Sequence, residues 1–282
     1  MRRLTLLILF LLALAFRSDA QVGPAESATD RGIVEVSRTL AARVLIDGKT
    51  AAGSGFFLDN QHVATCFHVV ARKWSAKADK GVVKDVSFEL APDIRVISVD
   101  GQEIAAEVVS LPTDASPEPM LFDFAILRLA KPLVGKLPPV RFYAEGSALH
   151  VGDPIFFSGY PLDSPLMLTH RGWLAGILAA EGILGLQAPV NKGVSGSALL
   201  GADGTVLGIV SMRLGGIGKG LLELRQQIDA GAAAGSVRIM GVDPLQATKG
   251  VIDTMDLTIS TGIGYARSTI YLEKYRRSIA PR

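Results

Sequence analysis

The sequence predicts an all-β fold built as two barrels, and three observations support it. Short β-branched and apolar runs recur between Gly, Pro, Asp and Asn at residues 42–45, 53–58, 62–65, 94–99, 105–110, 124–129, 154–157, 167–174, 183–189, 197–200 and 205–212. Helical periodicity is confined to 69–73, 220–230 and 269–277, too little for the crossover helices of a parallel α/β sheet. The stretch from Leu137-Pro138-Pro139 to Gly152-Asp153 breaks the strand alternation and separates two strand groups of similar number, which fits two barrels.

The chain begins MRRLTLLILFLLALAFRSDA, two arginines ahead of an apolar run from Leu4 to Phe16 interrupted only by Thr5, with Ser18 and Ala20 at cleavage spacing. Residues 1–20 therefore read as a secretory signal peptide, and the protein as exported, periplasmic or secreted. The run is short for a bilayer, so no stable membrane span is expected after cleavage, although Arg17 leaves an uncleaved anchor open. Residues 21–32, mostly small and polar, read as a flexible leader. The first barrel is then expected over 33–140 and the second over 141–282, with an insertion at 214–260 and a terminal helix at 269–277.

Composition excludes several function classes. Lys and Arg number 29 against 27 Asp and Glu, and removing Arg2, Arg3, Arg17 and Asp19 with residues 1–20 leaves 26 against 26, a net charge of 0. The basic residues are scattered, so no nucleic-acid partner is expected. The single cysteine, Cys66, cannot form an internal disulfide, and its apolar neighbours mark it as a small core residue. With no H-E-x-x-H and no cysteine pair, no metal or other cofactor is expected.

The chemistry concentrates in three segments. The four histidines, His62, His68, His150 and His170, all precede Ser195, so a hydrolase built on that serine has its base upstream. The α/β-hydrolase order is thereby excluded, and Ser197 also breaks G-x-S-x-G. His68 follows a hairpin, Gly53–Leu58 to His62–Thr65 through Asp59-Asn60, whose strand end gives a general base rigid support. Asp123 opens the apolar strand 124–129, and a buried carboxylate there needs a donor such as an imidazole N–H. Ser195 lies between Gly193 and Gly196, where a tight turn can present its hydroxyl and aim the Gly193 and Ser195 N–H groups at one oxyanion.

Taken together these segments resemble the chymotrypsin-like serine peptidases, most closely the HtrA/Deg branch, from about Gly53 to Ser278. The order His68, Asp123, Ser195 matches, as do Gly152-Asp153-Pro154, Gly159-Tyr160-Pro161, Asn191-Lys192-Gly193 and Gly262-Ile263-Gly264-Tyr265-Ala266. The resemblance implies two six-stranded antiparallel barrels, a catalytic triad of those three residues, and protein or peptide substrates. It also implies that Pro189 and Val190 lie near the base of the specificity pocket, with Met212 and Arg213 along its wall, and that the strand containing Ser211 pairs with substrate backbone. The family usually carries a PDZ module after the protease domain, and none is expected in the few residues after 277.

The resemblance departs at Val194, where the family usually has Asn or Asp, and at Ser197, where it usually has Gly. These departures keep open a weak or inactive protease-fold protein that binds a peptide or partner. Within the insertion, Leu221, Leu224 and Ile228 form an apolar stripe and Gly231 can end the helix. Gly215, Gly216, Gly218 and Gly220 supply hinges, so a lid over Ser195 or a homo-oligomer contact is expected, against the plainer reading of a surface insertion packed on the second barrel.

Overall fold

The computed structural model describes residues 28–48, 53–79, 82–112, 123–144, 148–232, 238–269 and 272. The expected signal peptide, the first part of the expected leader and most of the expected terminal helix lie outside them. The chain enters as a helix, α1 (Ala28–Leu40), so the leader expected to run to Gly32 is helical from Ala28 onward. Ile33, Ser37 and Leu40 recur at helical spacing and are buried, and this burial fixes the segment despite its polar composition.

The first barrel follows as β1 (Ala41–Ile46), β2 (Gly53–Phe57) and β3 (His62–Thr65). A single helical turn, α2 (Phe67–Val70), leads into a long hairpin, β4 (Ala71–Asp79) and β5 (Val82–Leu90). The helix expected at 69–73 is thus only this turn, and the chain extends from Ala71, where it pairs with Leu90. Strands β6 (Ile94–Ser98), β7 (Glu103–Ser110) and β8 (Ala125–Leu129) complete a closed barrel in the order β1-β2-β3-β8-β7-β6. The hairpin forms a separate two-stranded sheet.

The second barrel contains β9 (Pro154–Gly159), β10 (Leu168–Leu178), β11 (Ile183–Gln187), β12 (Ala198–Gly201), β13 (Val206–Arg213) and β14 (Ile263–Ser268), closed in the order β10-β11-β14-β13-β12-β9. Two helices, α3 (Lys219–Ala232) and α4 (Pro244–Thr258), lie between β13 and β14. Asp243 caps α4 by accepting from the Leu245 and Gln246 amides, ahead of Pro244 in the first turn. Ile217, Ile228 and Ile252 form a small core of their own, with Leu221 and Ile259 packed against it. Leu224, expected on the buried stripe, is exposed, and α3 runs through Gly231 to Ala232.

Alternation along β9 ties the two barrels together. Ile155 and Phe157 enter the second core beside Leu186, Val194 and Val210, whereas Phe156 joins the first core with Phe56, Val63 and Ile126. Helix α1 straps across the second barrel: Ser37 and Ser158 share a buried 2.8 Å hydroxyl hydrogen bond, and Asp30 meets Arg171 at 3.2 Å.

Ser54 on β2 makes the most specific inter-barrel contact. It is fully buried, its N–H donates to the Ser195 carbonyl at 2.8 Å, and its hydroxyl donates to the Gly193 carbonyl at 2.7 Å while accepting the Tyr160 N–H at 2.9 Å. Ser54→Ala leaves Gly193 O and Tyr160 N–H without that partner, with an expected loss of about 1–3 kcal/mol. Denaturant titration measures it, and an unchanged midpoint would contradict the assignment.

Candidate active site

Asp123, at the entrance to β8, is completely buried and adopts a left-handed backbone with φ +43°. An aspartate tolerates this conformation better than most residues, but it is still disfavoured and persists where surrounding bonds determine it. Those bonds are present: Oδ1 accepts from the His68 backbone N–H at 3.2 Å, and both oxygens lie near His68 Nδ1, at 3.1 and 2.9 Å. Ser211 on β13 donates its hydroxyl to Oδ2. The carboxylate therefore joins the first barrel's histidine to the second barrel's edge.

His68 sits in α2, directly after the strand that precedes it, with its side chain 30% exposed. Burial opposes a charge on the imidazole, but the Asp123 charge and hydrogen bond outweigh that and hold its pKa above the ordinary histidine value. An Nδ1–H donated to Asp123 leaves Nε2 as the basic nitrogen of the neutral ring. Cys66, two residues earlier, is buried behind this pair and its thiol donates to Val210 O at 3.3 Å. Burial chiefly, and the Asp123 charge secondarily, push the thiol pKa well up, so Cys66 is a packed, protonated group. Cys66, His68 and Asp123 offer donors within 4.8 Å of one another, but His68 Nδ1 and both carboxylate oxygens already engage each other.

Ser195 lies in the turn before β12. Its hydroxyl donates to the Ser211 carbonyl at 2.9 Å, so Ser211 contacts the serine through its main chain and the aspartate through its side chain. The turn is pinned to β13 by Gly196 N–H to Val210 O at 2.8 Å and Val210 N–H to Ser197 O at 2.9 Å. Gly193 and Gly196 have φ of +98° and +97°, and a Cβ would lie 2.3 Å from Tyr160 O at the first and 1.9 Å from Ser54 O at the second. Only glycine fits either position. Val194 is buried in the second core, and Ser197 is buried with its hydroxyl directed at the space left by Gly159.

Among the described residues, the amides of Val194, Gly196 and Ser197 have backbone partners, whereas those of Gly193 and Ser195 have none. His68, Asp123, Ser211 and Ser195 are linked residue to residue by hydrogen bonds, and Gly193 lies two residues before Ser195 in the same turn. The residues expected around the pocket are more varied. Val190 is buried and lies against Gly264, where a Cβ would come 2.4 Å from Val190 Cγ2 and 3.0 Å from Met212 O. Pro189 and Met212 are exposed. The Arg213 guanidinium turns to the insertion, donating to the Ile259 and Asp256 carbonyls and to Asp256 Oδ1. Sequence reasoning does not single out Ser54, Gly264 or Asp256, although the glycines flanking Ser54 and the Gly-Ile-Gly at 262–264 are local signals of close backbone approach.

Residues 53–209 match the family described as the trypsin-like peptidase domain. Protease Do-like 1, chloroplastic, from Arabidopsis thaliana is 31% identical over 169 residues, 56% of this chain and 32% of that protein. Serine protease Do-like HtrA from Bacillus subtilis is 30% identical over 138 residues, 45% of this chain and 28% of that protein. The chain thus spans 32% and 28% of the length of these curated relatives. The serine endoprotease from Yersinia pestis superposes with a TM-score of 0.53 over 88% of this chain and 65% of that one, and at 17% identity it speaks to the fold alone. With that superposition supporting the double barrel and the family match covering more than half its length, the chain belongs to the trypsin-like peptidase family.

Proposed function

We propose that this chain is a serine endopeptidase that cleaves protein or peptide substrates through an acyl-enzyme on Ser195. The supporting observation is the continuous hydrogen-bonded path from His68 Nδ1 through Asp123 and the Ser211 hydroxyl, then from the Ser211 carbonyl to Ser195 Oγ. At rest the serine hydroxyl donates to Ser211 O. A substrate N–H on the acyl side competes for that carbonyl and frees the hydroxyl to donate to His68 Nε2.

The chemistry then follows from the groups present. Ser195 Oγ bonds to the scissile carbonyl carbon as its proton passes to Nε2, and Asp123 stabilises the imidazolium. The unpaired Gly193 and Ser195 amides receive the oxyanion. The imidazolium protonates the departing amine, and water, deprotonated by the same nitrogen, releases the acyl group. Residues 1–20 support export to the periplasm or medium, and among the described residues no helix is long and apolar enough to cross a membrane.

The pocket reading rests on Val190 and Gly264. Val190 occupies the space over Gly264, and Arg213 is engaged by the insertion, so no carboxylate among these groups can pair with a substrate cation. Small or medium aliphatic residues are therefore expected on the acyl side of the cleaved bond. Mapping cleavage sites on an unfolded protein checks this, and a dominant Arg or Lys preference refutes it.

A fluorophosphonate probe should label the wild-type protein and not Ser195→Ala; equal labelling of both overturns the nucleophile assignment. His68→Ala should abolish turnover, and Asp123→Asn should lower kcat on the order of 10⁴-fold by stabilising the wrong tautomer. A loss below about tenfold would point to a different orienting acid.

The raised His68 pKa also sets a pH dependence. The base must be neutral, so kcat/KM should fall as pH drops through a midpoint above the ordinary histidine value of about 6.5. A pH–rate profile with its acid limb below that value would contradict the Asp123 pairing.

A further inference from the structure

One carboxylate of the insertion meets both the turn before Ser195 and the strand end after Ser211. Asp256, in α4, accepts from Lys192 Nζ at 2.8 Å through Oδ2 and from Arg213 at 2.8 Å through Oδ1. Arg225 from α3 approaches the same carboxylate at 3.6 Å and Asp253 at 3.5 Å. The Asp256 and Arg213 side chains are only 15% and 11% exposed, so solvent screens this network less than an open surface pair.

What Asp256 holds matters more than the number of its partners. Lys192 immediately precedes Gly193, and Arg213 ends the strand edge that begins at Ser211. The same turn has two further restraints: the Leu162 N–H donates to Lys192 O at 2.7 Å, and the Ser54 hydroxyl donates to Gly193 O at 2.7 Å. Both barrels thus restrain the turn, and the insertion adds a hold on its Lys192 end. The base of the insertion is itself closed, with Leu214 N–H bonded to Ile263 O at 2.9 Å and Thr261 bonded to Leu214 O.

We propose that Asp256 is a positioning residue: through Lys192 and Arg213 it braces the oxyanion turn against the substrate-binding edge, making the insertion a structural part of the active site. This rests on the reading of Ser195 as the nucleophile. The brace acts on the orientation of the Lys192–Gly193 peptide, whose N–H must point at the developing oxyanion, and small misplacements there cost rate more than binding.

The test is a double-mutant cycle on a small peptide ester. Asp256→Asn and Lys192→Met should each lower kcat about tenfold with KM changed less than about twofold. The double variant should lose no more than the worse single, and Asp256→Glu should recover most of the rate. Backbone hydrogen exchange supplies a readout independent of turnover: the Val194 and Gly196 amides, bonded to Asn191 O and Val210 O, should exchange faster in both single variants.

Lys192 is half-exposed, so Lys192→Met keeps the test decisive if Asp256→Asn does not fold. A kcat within about twofold of wild type for a folded single variant, losses that multiply in the double, or unchanged exchange at both amides overturns the brace. If the wild-type protein itself takes no fluorophosphonate, the triad reading fails and exchange alone decides the brace.

Discussion

A carboxylate removed from water at the junction of two barrels must have its charge answered by fixed donors, and Asp123 is that carboxylate. Its donors come from both sides: the His68 backbone and ring from the first barrel, and the Ser211 hydroxyl from the second. The barrels cannot shift independently without exposing or unpairing it. Its left-handed backbone follows from the same demand, since the chain entering β8 has to deliver the carboxylate to the imidazole. The geometry of the His68–Asp123 pair and the relative placement of the barrels are therefore one problem with one solution.

The nucleophile turn shows the same interdependence from the other side. It belongs to the second barrel by sequence, and Val194 anchors it in that barrel's core. Yet Ser54, from β2, bonds to the carbonyls of both Gly193 and Ser195. Phe156 and Phe157, adjacent on β9, pack into opposite cores, so the strand that enters the second barrel also seals the interface. The barrel interface thus positions the Gly193–Gly196 turn, which neither barrel holds alone.

Legibility in the sequence follows how local the physical cause is. The hairpin ending at His68 is legible because buried strands leave apolar runs and Asp59-Asn60 marks the turn between them. The β4–β5 hairpin forms a sheet apart from both closed barrels, and its start reads in sequence as a helical turn. Helix α1 is masked by polar residues such as Ser37, whose burial makes sense only once Ser158 is beside it. In α4, Ile252 is buried while Leu245, Val251 and Met255 are exposed, so apolar residues do not mark a single face. Only its Asp243-Pro244 cap is a local signal. Ser54 and Gly193 are 139 residues apart, and Lys192 and Asp256 are 64 apart. No window of sequence contains either pair.

Val194 and Ser197 bear on whether this turn can hold a reactive serine. A polar residue at 194 would need a partner; a valine needs only apolar volume, and the second core supplies it completely. The hydrogen-bonding role is carried by Ser54, which bonds to the carbonyls on both sides of Val194 and leaves the Gly193 and Ser195 amides unspent. Ser197 brings a buried hydroxyl into a tight corner where Gly159 provides the space but no hydrogen-bond partner, a cost borne by stability. Val194 is accommodated by packing, and Ser197 fits sterically beside Gly159. They therefore give no physical reason for Ser195 to be inert, while the paired aspartate behind His68 gives one for it to react.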